Sequence, residues 1–511
     1  MEGVKMLKSA FCALLFIGSA VAQGQAAHKV AAPGPTGLEV MDATKSKVEL
    51  AWTAFPGATA YVVERRAESG VYAAVGEKTT DLVFTDAKID PYTIYTYHVK
   101  AVMGPQKFSG FSNEVKAGPP PTGFNVVTLT PKDREPDFGY GMTTVLDTNE
   151  DPVFAYIFRD PNNVNKPADS QLFFGGWDRT NYRWRDPVLV DMIGDFHRDV
   201  PRAVALAMDA STGEFGVAYV RINGDREIAL SSNAGKTWTR QALPPTPGHE
   251  AQGCTLVMGS GNIYLATFSN KGPAYFTGNA SDRATKWTQT HVPIPADMNY
   301  RANGHLALDG DGKPALVYAA EGKHGYNVSA MYWRPGKDPV KAMDTNNIQN
   351  DVFDVRLGFQ GNKPSVVVAG YRSTNYDNQL WISSSDDGVK WTDPVWIAKD
   401  GNRGMTSPLS LAISGKGEYV LLARDNGGND KGVKCGYPKV ARSADGVHWA
   451  SCSPTGGPKP AHLSGDATGA FPGNNRLYIG YRSYASQSPL PDGIIVWRES
   501  GTAAGNAAIN K

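Results

Sequence analysis

Arginine recurs directly after one short apolar segment of a repeated pattern in this chain of 511 residues. It stands in Tyr371-Arg372-Ser373 and again in Tyr481-Arg482-Ser483. A guanidinium group binds a carboxylate through two parallel hydrogen bonds, so arginines that converge on one pocket are suited to an anionic ligand such as an acidic sugar. The alternative is that these arginines are a structural habit of the repeat, or solvated loop charges.

Two sets of loops are expected to bring such residues to one face. One set enters the first strand of each repeat, and the other follows the second strand. Polar loops on a rigid scaffold commonly form functional sites. The entering loops contribute His197, Asp199, Arg202, Arg301 and His305. The loops after the second strand contribute Asp160, Glu321, Arg372, Arg424, Arg482 and Tyr484.

The repeat itself predicts the scaffold. Seven copies are present, and their second strands cover residues 152–156, 215–219, 263–266, 314–318, 365–369, 419–423 and 477–481. A spacing of about 48 to 62 residues fits one four-stranded propeller blade per copy. We therefore predict an all-β fold with a β-propeller over residues 122–500. It has seven blades, or six if the first or last copy is degenerate. Residues 124–129 are predicted to supply the outer strand that the last copy lacks.

A turn between the third and fourth strands is the most regular feature of the repeat. Ser231 to Trp238 and Ser384 to Trp391 both match S-x-[DN]-x-G-x-x-W. In such a turn the Asp or Asn side chain binds the loop's own amides, Gly takes a positive φ, and Trp packs underneath. A weaker copy ends at Trp449, and another, from Asp282 to Trp287, lacks the Gly.

These turns resemble the Asp boxes of the bacterial neuraminidase repeat in the sialidase superfamily, over residues 122–500. The resemblance implies that the boxes lie on the face away from the active site. It also implies an arginine triad for a substrate carboxylate, a tyrosine nucleophile activated by a glutamate, and an aspartate acid. Glu321 and Tyr484 are the candidates for the glutamate and the nucleophile. The triad would come from Arg372 and Arg424 with Arg482 or Arg202, and the acid would be Asp160 or Asp199.

Two other functions fit the same residues. A polysaccharide lyase would use tyrosine or histidine to abstract a proton beside a uronate that arginine neutralises, and His197, His305 and Arg301 suit that chemistry. A lectin or adhesion module would bind glycans without an acid and base pair. A sialidase-like glycosidase acting on an acidic glycan is the first expectation.

The segment before the repeats predicts a small second domain. Residues 33–117 alternate polar and apolar positions between turns, as in Val48 to Trp52 and Tyr95 to Val102, which is typical of a β-sandwich. Together with Pro35-Thr36-Gly37-Leu38, they resemble a fibronectin type III domain. Trp52 and Tyr95 are expected in its core. Residues 118–121, Gly-Pro-Pro-Pro, predict a stiff linker, and residues 501–511 a flexible tail.

The first 22 residues have the pattern of a signal peptide, with Lys5 and Lys8 before an apolar run and a small-residue site ending at Ala22. The run is too short to cross a bilayer. The sequence therefore predicts a secreted or periplasmic protein without a membrane span, and we expect a monomer.

The remaining composition narrows the partners and cofactors. A formal net charge of +1 offers no field to attract nucleic acid. Zinc-ligand spacing and nucleotide-binding motifs are both missing from the sequence, so no metal or cofactor is expected. Cys435 and Cys452 flank the turn of one predicted hairpin and are expected to face each other near its open end, where a disulfide would suit an oxidising compartment. Cys254 is expected to be buried.

Overall fold

The structure, a computed structural model, describes sixteen stretches of the chain. They are residues 32–127, 142–158, 170–194, 204–221, 225–245, 251–281, 286–323, 328–344, 350–372, 377–397, 405–414, 416–425, 439–451, 468–470, 478–483 and 493–499. Every regular element in them is a β-strand. The all-β prediction is confirmed.

The first eight strands form a two-sheet sandwich. One sheet has the order β1-β2-β5, and the other has the order β4-β3-β6-β7, with β8 also paired to β6. The strands are β1 (Thr36–Ala43), β2 (Val48–Thr53), β3 (Ala60–Ala67), β4 (Ala73–Ala74), β5 (Val83–Asp86), β6 (Tyr95–Gly104), β7 (Lys107–Phe111) and β8 (Val115–Ala117). Trp52 and Tyr95 are buried between the sheets, as predicted. The Trp52 ring meets Tyr61 edge-on at 5.5 Å.

The following strands form seven antiparallel sheets, one per blade, in the part of the chain that the structure describes. Blade 1 has β10 (Met142–Leu146), β11 (Pro152–Phe158), β12 (Ser170–Asp178), β13 (Arg183–Trp184) and β14 (Val188–Gly194). Blade 2 has β15 (Val204–Met208), β16 (Phe215–Val220), β17 (Arg226–Ser231) and β18 (Thr239–Ala242). Blade 3 has β19 (Ala251–Gly259), β20 (Asn262–Ser269), β21 (Gly272–Asn279) and β22 (Thr288–His291).

The later blades repeat this order. Blade 4 has β23 (Met298–Leu308), β24 (Pro314–Gly322), β25 (Val328–Trp333) and β26 (Val340–Asp344). Blade 5 has β27 (Asn350–Gln360), β28 (Lys363–Arg372), β29 (Asp377–Ser384) and β30 (Val395–Trp396). Blade 6 has β31 (Met405–Ile413), β32 (Tyr419–Asp425), β33 (Lys439–Ser443) and β34 (Ala450–Ser451). Blade 7 has β35 (Thr468–Ala470), β36 (Tyr478–Ser483) and β37 (Gly493–Arg498).

Blade 7 takes its outer strand from the start of the propeller. Strand β9 (Gly123–Val127) pairs antiparallel with β37, so that Val127 lies opposite Ile494 and Gly123 opposite Arg498. Val127 and Ile494 then pack in one cluster with Phe154 and Tyr156 of blade 1. The predicted closure by the segment that begins at residue 124, and the count of seven blades, are confirmed.

The second strand of a blade explains the apolar runs in the sequence. All six residues of β16 are buried because adjacent blades cover both faces of the sheet, so the strand reads as a continuous apolar segment instead of alternating. Its Val217 packs with Phe174 and Leu172 of blade 1. Burial between blades, rather than in one central core, therefore holds the ring together.

The Asp-box turns join the third and fourth strands, and an Asp or Asn side chain binds the turn's own amides, as predicted. In blade 5 this residue is Asp387 and not Asp386, which stands at the predicted position of the motif but pairs with Lys363 at 2.6 Å. In blade 5 the amides of Val389 and Lys390 donate to Asp387 Oδ1 at 2.8 and 2.9 Å. Gly388 has φ 74°, and the Trp391 indole N–H donates to its carbonyl at 3.3 Å. Blades 2 and 6 have equivalent turns, in which the indoles of Trp238 and Trp449 donate to glycine carbonyls. The copy from Asp282 to Trp287 begins outside the described residues.

Candidate functional site

Antiparallel strands in chain order place alternate connections at opposite edges of each blade. One edge carries the turns between strands 1 and 2 and the Asp boxes between strands 3 and 4, and we call it the Asp-box edge. The opposite edge carries the beginning of strand 1 and the end of strand 2. The predicted site residues that the structure describes fall at this opposite edge, with the exception of His305.

Blade 4 brings two of these residues into contact. Arg301 lies near the beginning of β23 and Glu321 near the end of β24, where Asn299 is opposite Glu321. Arg301 Nε donates to Glu321 Oε2 at 2.7 Å, and its Nη2 lies 2.5 Å from the same oxygen. The Glu321 side chain is 18% exposed and that of Arg301 44%. A partly buried carboxylate thus lies at the edge opposite the Asp boxes, with the Arg301 guanidinium group held against it.

A bulge in β23 separates this pair from the third predicted residue of the blade. The register shifts between Arg301 and Gly304, and His305 lies opposite Val317. Its Nδ1 accepts the Leu357 amide of blade 5 at 3.3 Å. His305 is therefore below the edge, and one of its ring nitrogens joins two inner strands.

Three predicted arginines occupy the second strands of the next three blades. Arg372 ends β28 of blade 5, Arg424 is next to last in β32 of blade 6, and Arg482 is next to last in β36 of blade 7. All three strands end at the edge where β24 ends beside Glu321. Blades 4 to 7 therefore each carry one of these residues, a glutamate or an arginine, within the last two positions of the second strand.

Several predicted residues fall outside the described stretches. These are Asp160, His197, Asp199, Arg202, Tyr484, Cys435 and Cys452, and the roles given to them stay predictions. Cys254 is described, and it is buried, as expected, with its thiol donating to the Ala218 carbonyl at 3.6 Å. Within the sixteen stretches, no group of three or more His, Cys, Asp or Glu side chains is placed to hold a metal ion.

A second charged cluster, not predicted from the sequence, lies near the same edge between blades 1 and 2. The Tyr219 hydroxyl lies 2.7 Å from both Asp191 Oδ2 and Glu227 Oε2. Arg221 Nη2 donates to the same two oxygens at 2.6 and 3.0 Å, and Arg240 also contacts Asp191. Tyr219 lies directly opposite Glu227 across the β16–β17 hairpin. The pairing of Tyr219 with Glu227 could have been predicted from the sequence of this hairpin. The contact with Asp191 could not, because Asp191 comes from another blade.

The ionisation of this cluster favours a structural role. Burial raises the pKa of Tyr219, and the carboxylates of Glu227 and Asp191 raise it further. Burial opposes ionisation of Glu227, but hydrogen bonds from Arg221 and Tyr219 outweigh it and lower the Glu227 pKa. A phenol that keeps its proton between two carboxylates acts as a donor, not as a nucleophile. The cluster orders Arg221 at the edge.

Comparison with known proteins gives likeness in structure only. No protein-family model and no curated protein matches the sequence. Polysaccharide lyase Uly1 is 8% identical with a TM-score of 0.46, over 70% of this chain and 89% of that chain. An α-L-arabinofuranosidase from Fusarium graminearum is 10% identical with a TM-score of 0.42, over 76% and 99%.

The sandwich has its own neighbour. A Fn3-like protein from Clostridium thermocellum is 31% identical over 17% of this chain and 92% of that chain, with a TM-score of 0.16. The two propeller neighbours are carbohydrate-active proteins.

Along the described stretches, no helix is long and apolar enough to cross a membrane.

Proposed function

We propose that the chain is a carbohydrate-active protein that binds an acidic glycan at the edge opposite the Asp boxes and hydrolyses a glycosidic bond there. The Arg301–Glu321 pair carries this proposal, because it places a partly buried carboxylate beside a cation at the edge where Arg372, Arg424 and Arg482 also lie. Arginine is the side chain best suited to a sugar carboxylate. The signal-peptide pattern supports action outside the cytoplasm.

The proposed chemistry divides the residues by role. The arginines would hold the substrate carboxylate, and Glu321 would take a proton from Tyr484 as that tyrosine attacks the anomeric carbon. The bond to the leaving sugar would break in the same step, with Asp160 or Asp199 donating a proton to the leaving oxygen. Water, losing a proton to that aspartate, would then attack the anomeric carbon, and the bond to Tyr484 would break as Glu321 returns the proton to the phenol. An enzyme that works in this way would be a sialidase-like glycosidase.

Binding without hydrolysis is the second candidate. One observation favours it: two nitrogens of Arg301 converge on Glu321 Oε2. A carboxylate that accepts from two guanidinium nitrogens can serve to fix Arg301 for the ligand. The lectin function would then use the same edge.

The test separates the two candidates. Purified full-length chain is incubated with methylumbelliferyl sialoside and with uronate-containing polysaccharides, and the products are analysed by mass spectrometry. Binding is measured in parallel by calorimetry. The hydrolase proposal expects cleavage that falls at least about 100-fold in Glu321→Gln and in Tyr484→Phe. Unsaturated uronate products would indicate a lyase instead.

Matched variants identify the site. Arg372→Ala is expected to weaken binding by about tenfold or more, whereas Arg66→Ala, which removes a sandwich arginine beside Glu114, leaves it unaltered. Glu418→Gln is the control for Glu321, since Glu418 is also paired with an arginine, Arg442, at 3.3 Å, but on the Asp-box edge. Cleavage that persists in Glu321→Gln and Tyr484→Phe would refute the residue assignment. Absence of both binding and cleavage for every acidic glycan would refute the proposal.

A further inference from the structure

A cleft of about 430 Å³ lies between the sandwich and the propeller, on the Asp-box edge of blades 1 and 2. The sandwich contributes Asp42, Ala43 and Thr44, at the turn between β1 and β2. Blade 1 contributes its two turns at this edge, and blade 2 contributes its Asp box, including Lys236. The cleft is therefore remote from the proposed acidic-glycan site, at the other edge of the blades.

The floor of the cleft is a built and buried structure. Arg179, which is 4% exposed, donates from Nε and Nη2 to the two oxygens of Asp151, both at 2.8 Å. Its Nη1 donates to the sandwich carbonyl of Pro91 at 2.8 Å. The Ala43 amide donates to Thr180 Oγ1 at 3.0 Å along one wall. These bonds fix the two domains on either side of the opening.

The walls mix donors and acceptors without a dominant charge. Four carboxylates and three cations line the cleft, and Arg179 neutralises one of the carboxylates, Asp151. The other carboxylates are Asp42, Asp178 and Asp186, and the other cations are Arg185 and Lys236. The amides of Asn149 and Asn181 and the hydroxyls of Thr44 and Thr180 add groups of both kinds. A nearly neutral set gives no electrostatic preference for an ion.

Apolar atoms occupy the remaining surface. Ala43, Phe174 and Val188 line the cleft beside the polar groups. A ligand with hydroxyls that both donate and accept, and with apolar C–H faces between them, matches this lining. The volume of the cleft lies within the usual range of about 300 to 1,000 Å³ for small-molecule sites, which are common between domains.

We propose that this interdomain cleft binds a neutral oligosaccharide. Asp178, Asn181 and Lys236 are assigned to its hydroxyl groups, since all three are polar residues that line the cleft and none is buried. The site is independent of the proposed acidic-glycan site and would let the protein hold a neutral stretch of a polysaccharide while the opposite edge acts on an acidic residue.

The test uses the full chain with maltose, cellobiose and lactose as neutral probes and sodium glucuronate as the acidic probe. Saturation-transfer NMR and calorimetry are expected to show binding of at least one neutral disaccharide, with a Kd on the order of 1 mM. Asn181→Trp, which fills the opening, is expected to weaken that binding at least about tenfold. Lys236→Ala, at an exposed position, is expected to weaken it about threefold.

Asn362→Trp is the matched control. Asn181 Nδ2 donates to Asp178 at 2.6 Å, and Asn362 Nδ2 donates to Asp311 at 3.1 Å, so both are exposed turn asparagines with the same bond. The control is expected to bind like the unmodified chain. The inference is overturned if none of the three neutral probes binds, or if Asn181→Trp binds them as well as Asn362→Trp does. It is also overturned if glucuronate is the probe whose binding Asn181→Trp weakens.

Discussion

Asp309 follows strand β23 and shows what a single carboxylate does in a turn of this propeller. It accepts the amides of Asp311 and Lys313 at 3.0 and 2.8 Å on Oδ1, and Arg334 Nη1 donates to Oδ2 at 2.7 Å. Burial opposes its ionisation, but the Lys313 amide and Arg334 outweigh burial and lower the Asp309 pKa. The folded state therefore holds the charged form more strongly than the unfolded chain does.

The sign of the pH dependence follows from that lowered pKa. The unfolded chain takes up the proton first as the pH falls below about 4, so the stabilisation by Asp309 is present at neutral pH and is lost in acid. We expect Asp309→Asn to lower the free energy of unfolding by about 1 to 2 kcal/mol at pH 7 and by less at pH 3. Urea unfolding of both chains across this range measures it. An equal loss at both pH values would show that charge is not the cause.

The hairpin turns, at the scale of elements, give a matched pair of glycines in one blade. Gly388 in the Asp box of blade 5 has φ 74°, and an added Cβ would lie 2.9 Å from a ring carbon of Tyr332. Gly361, in the turn between β27 and β28, has φ 59° and nothing within 4 Å of an added Cβ. Both positions strain an L residue, but only Gly388 is crowded.

We therefore expect Gly388→Ala to destabilise the protein by about 1 to 3 kcal/mol more than Gly361→Ala does. The crowding acts on Tyr332, which the Trp391 ring also contacts at 5.3 Å. Chemical unfolding followed by tryptophan fluorescence compares the two variants. If their losses are equal, positive φ alone sets the cost and the box does not depend on close packing against blade 4.

These turns also show which features can be predicted from the sequence. The Asp box was predictable because the hydrogen bonds that close the turn lie within eight residues. The turn between strands 1 and 2 has a similar local device, in which Asp147, Asp209 and Asp309 each accept amides from their own turn. Its spacing is less regular, so the sequence does not predict it. The contact of Arg301 with Glu321 was not predicted, since it depends on register across a bulged strand.

At the scale of the whole molecule, the closed ring of blades could be predicted from the sequence, but the position of the sandwich against that ring could not. Closure by β9 followed from counting strands, because the last repeat lacked one. The position of the sandwich did not follow, because it rests on contacts between distant residues. Arg498, at the end of β37, donates to the carbonyls of Pro120 and Tyr92, both at 2.6 Å. The Gly-Pro-Pro-Pro linker is largely buried between these groups instead of acting as an exposed spacer.

The Arg179–Asp151 pair provides a test of how firmly the two domains are joined. Both side chains are almost fully buried, at 4% and 1% exposed, so removing the arginine leaves an uncompensated carboxylate as well as an unbonded Pro91 carbonyl. We expect Arg179→Leu to cost about 3 to 5 kcal/mol of unfolding free energy, and the double variant Arg179→Leu with Asp151→Leu to recover part of that loss.

An exposed arginine on the same hairpin serves as the control for this experiment. Arg183 is 59% exposed and pairs at 3.4 Å with Asp186, which is 85% exposed, so Arg183→Leu is expected to cost less than about 1 kcal/mol. Urea unfolding measures all three variants. If Arg179→Leu costs no more than Arg183→Leu, the buried pair does not hold the sandwich in place. The walls of the proposed cleft would then have to be fixed by the remaining contacts, which include those of Arg498, of Ala43 with Thr180 and of Lys45 with Glu150.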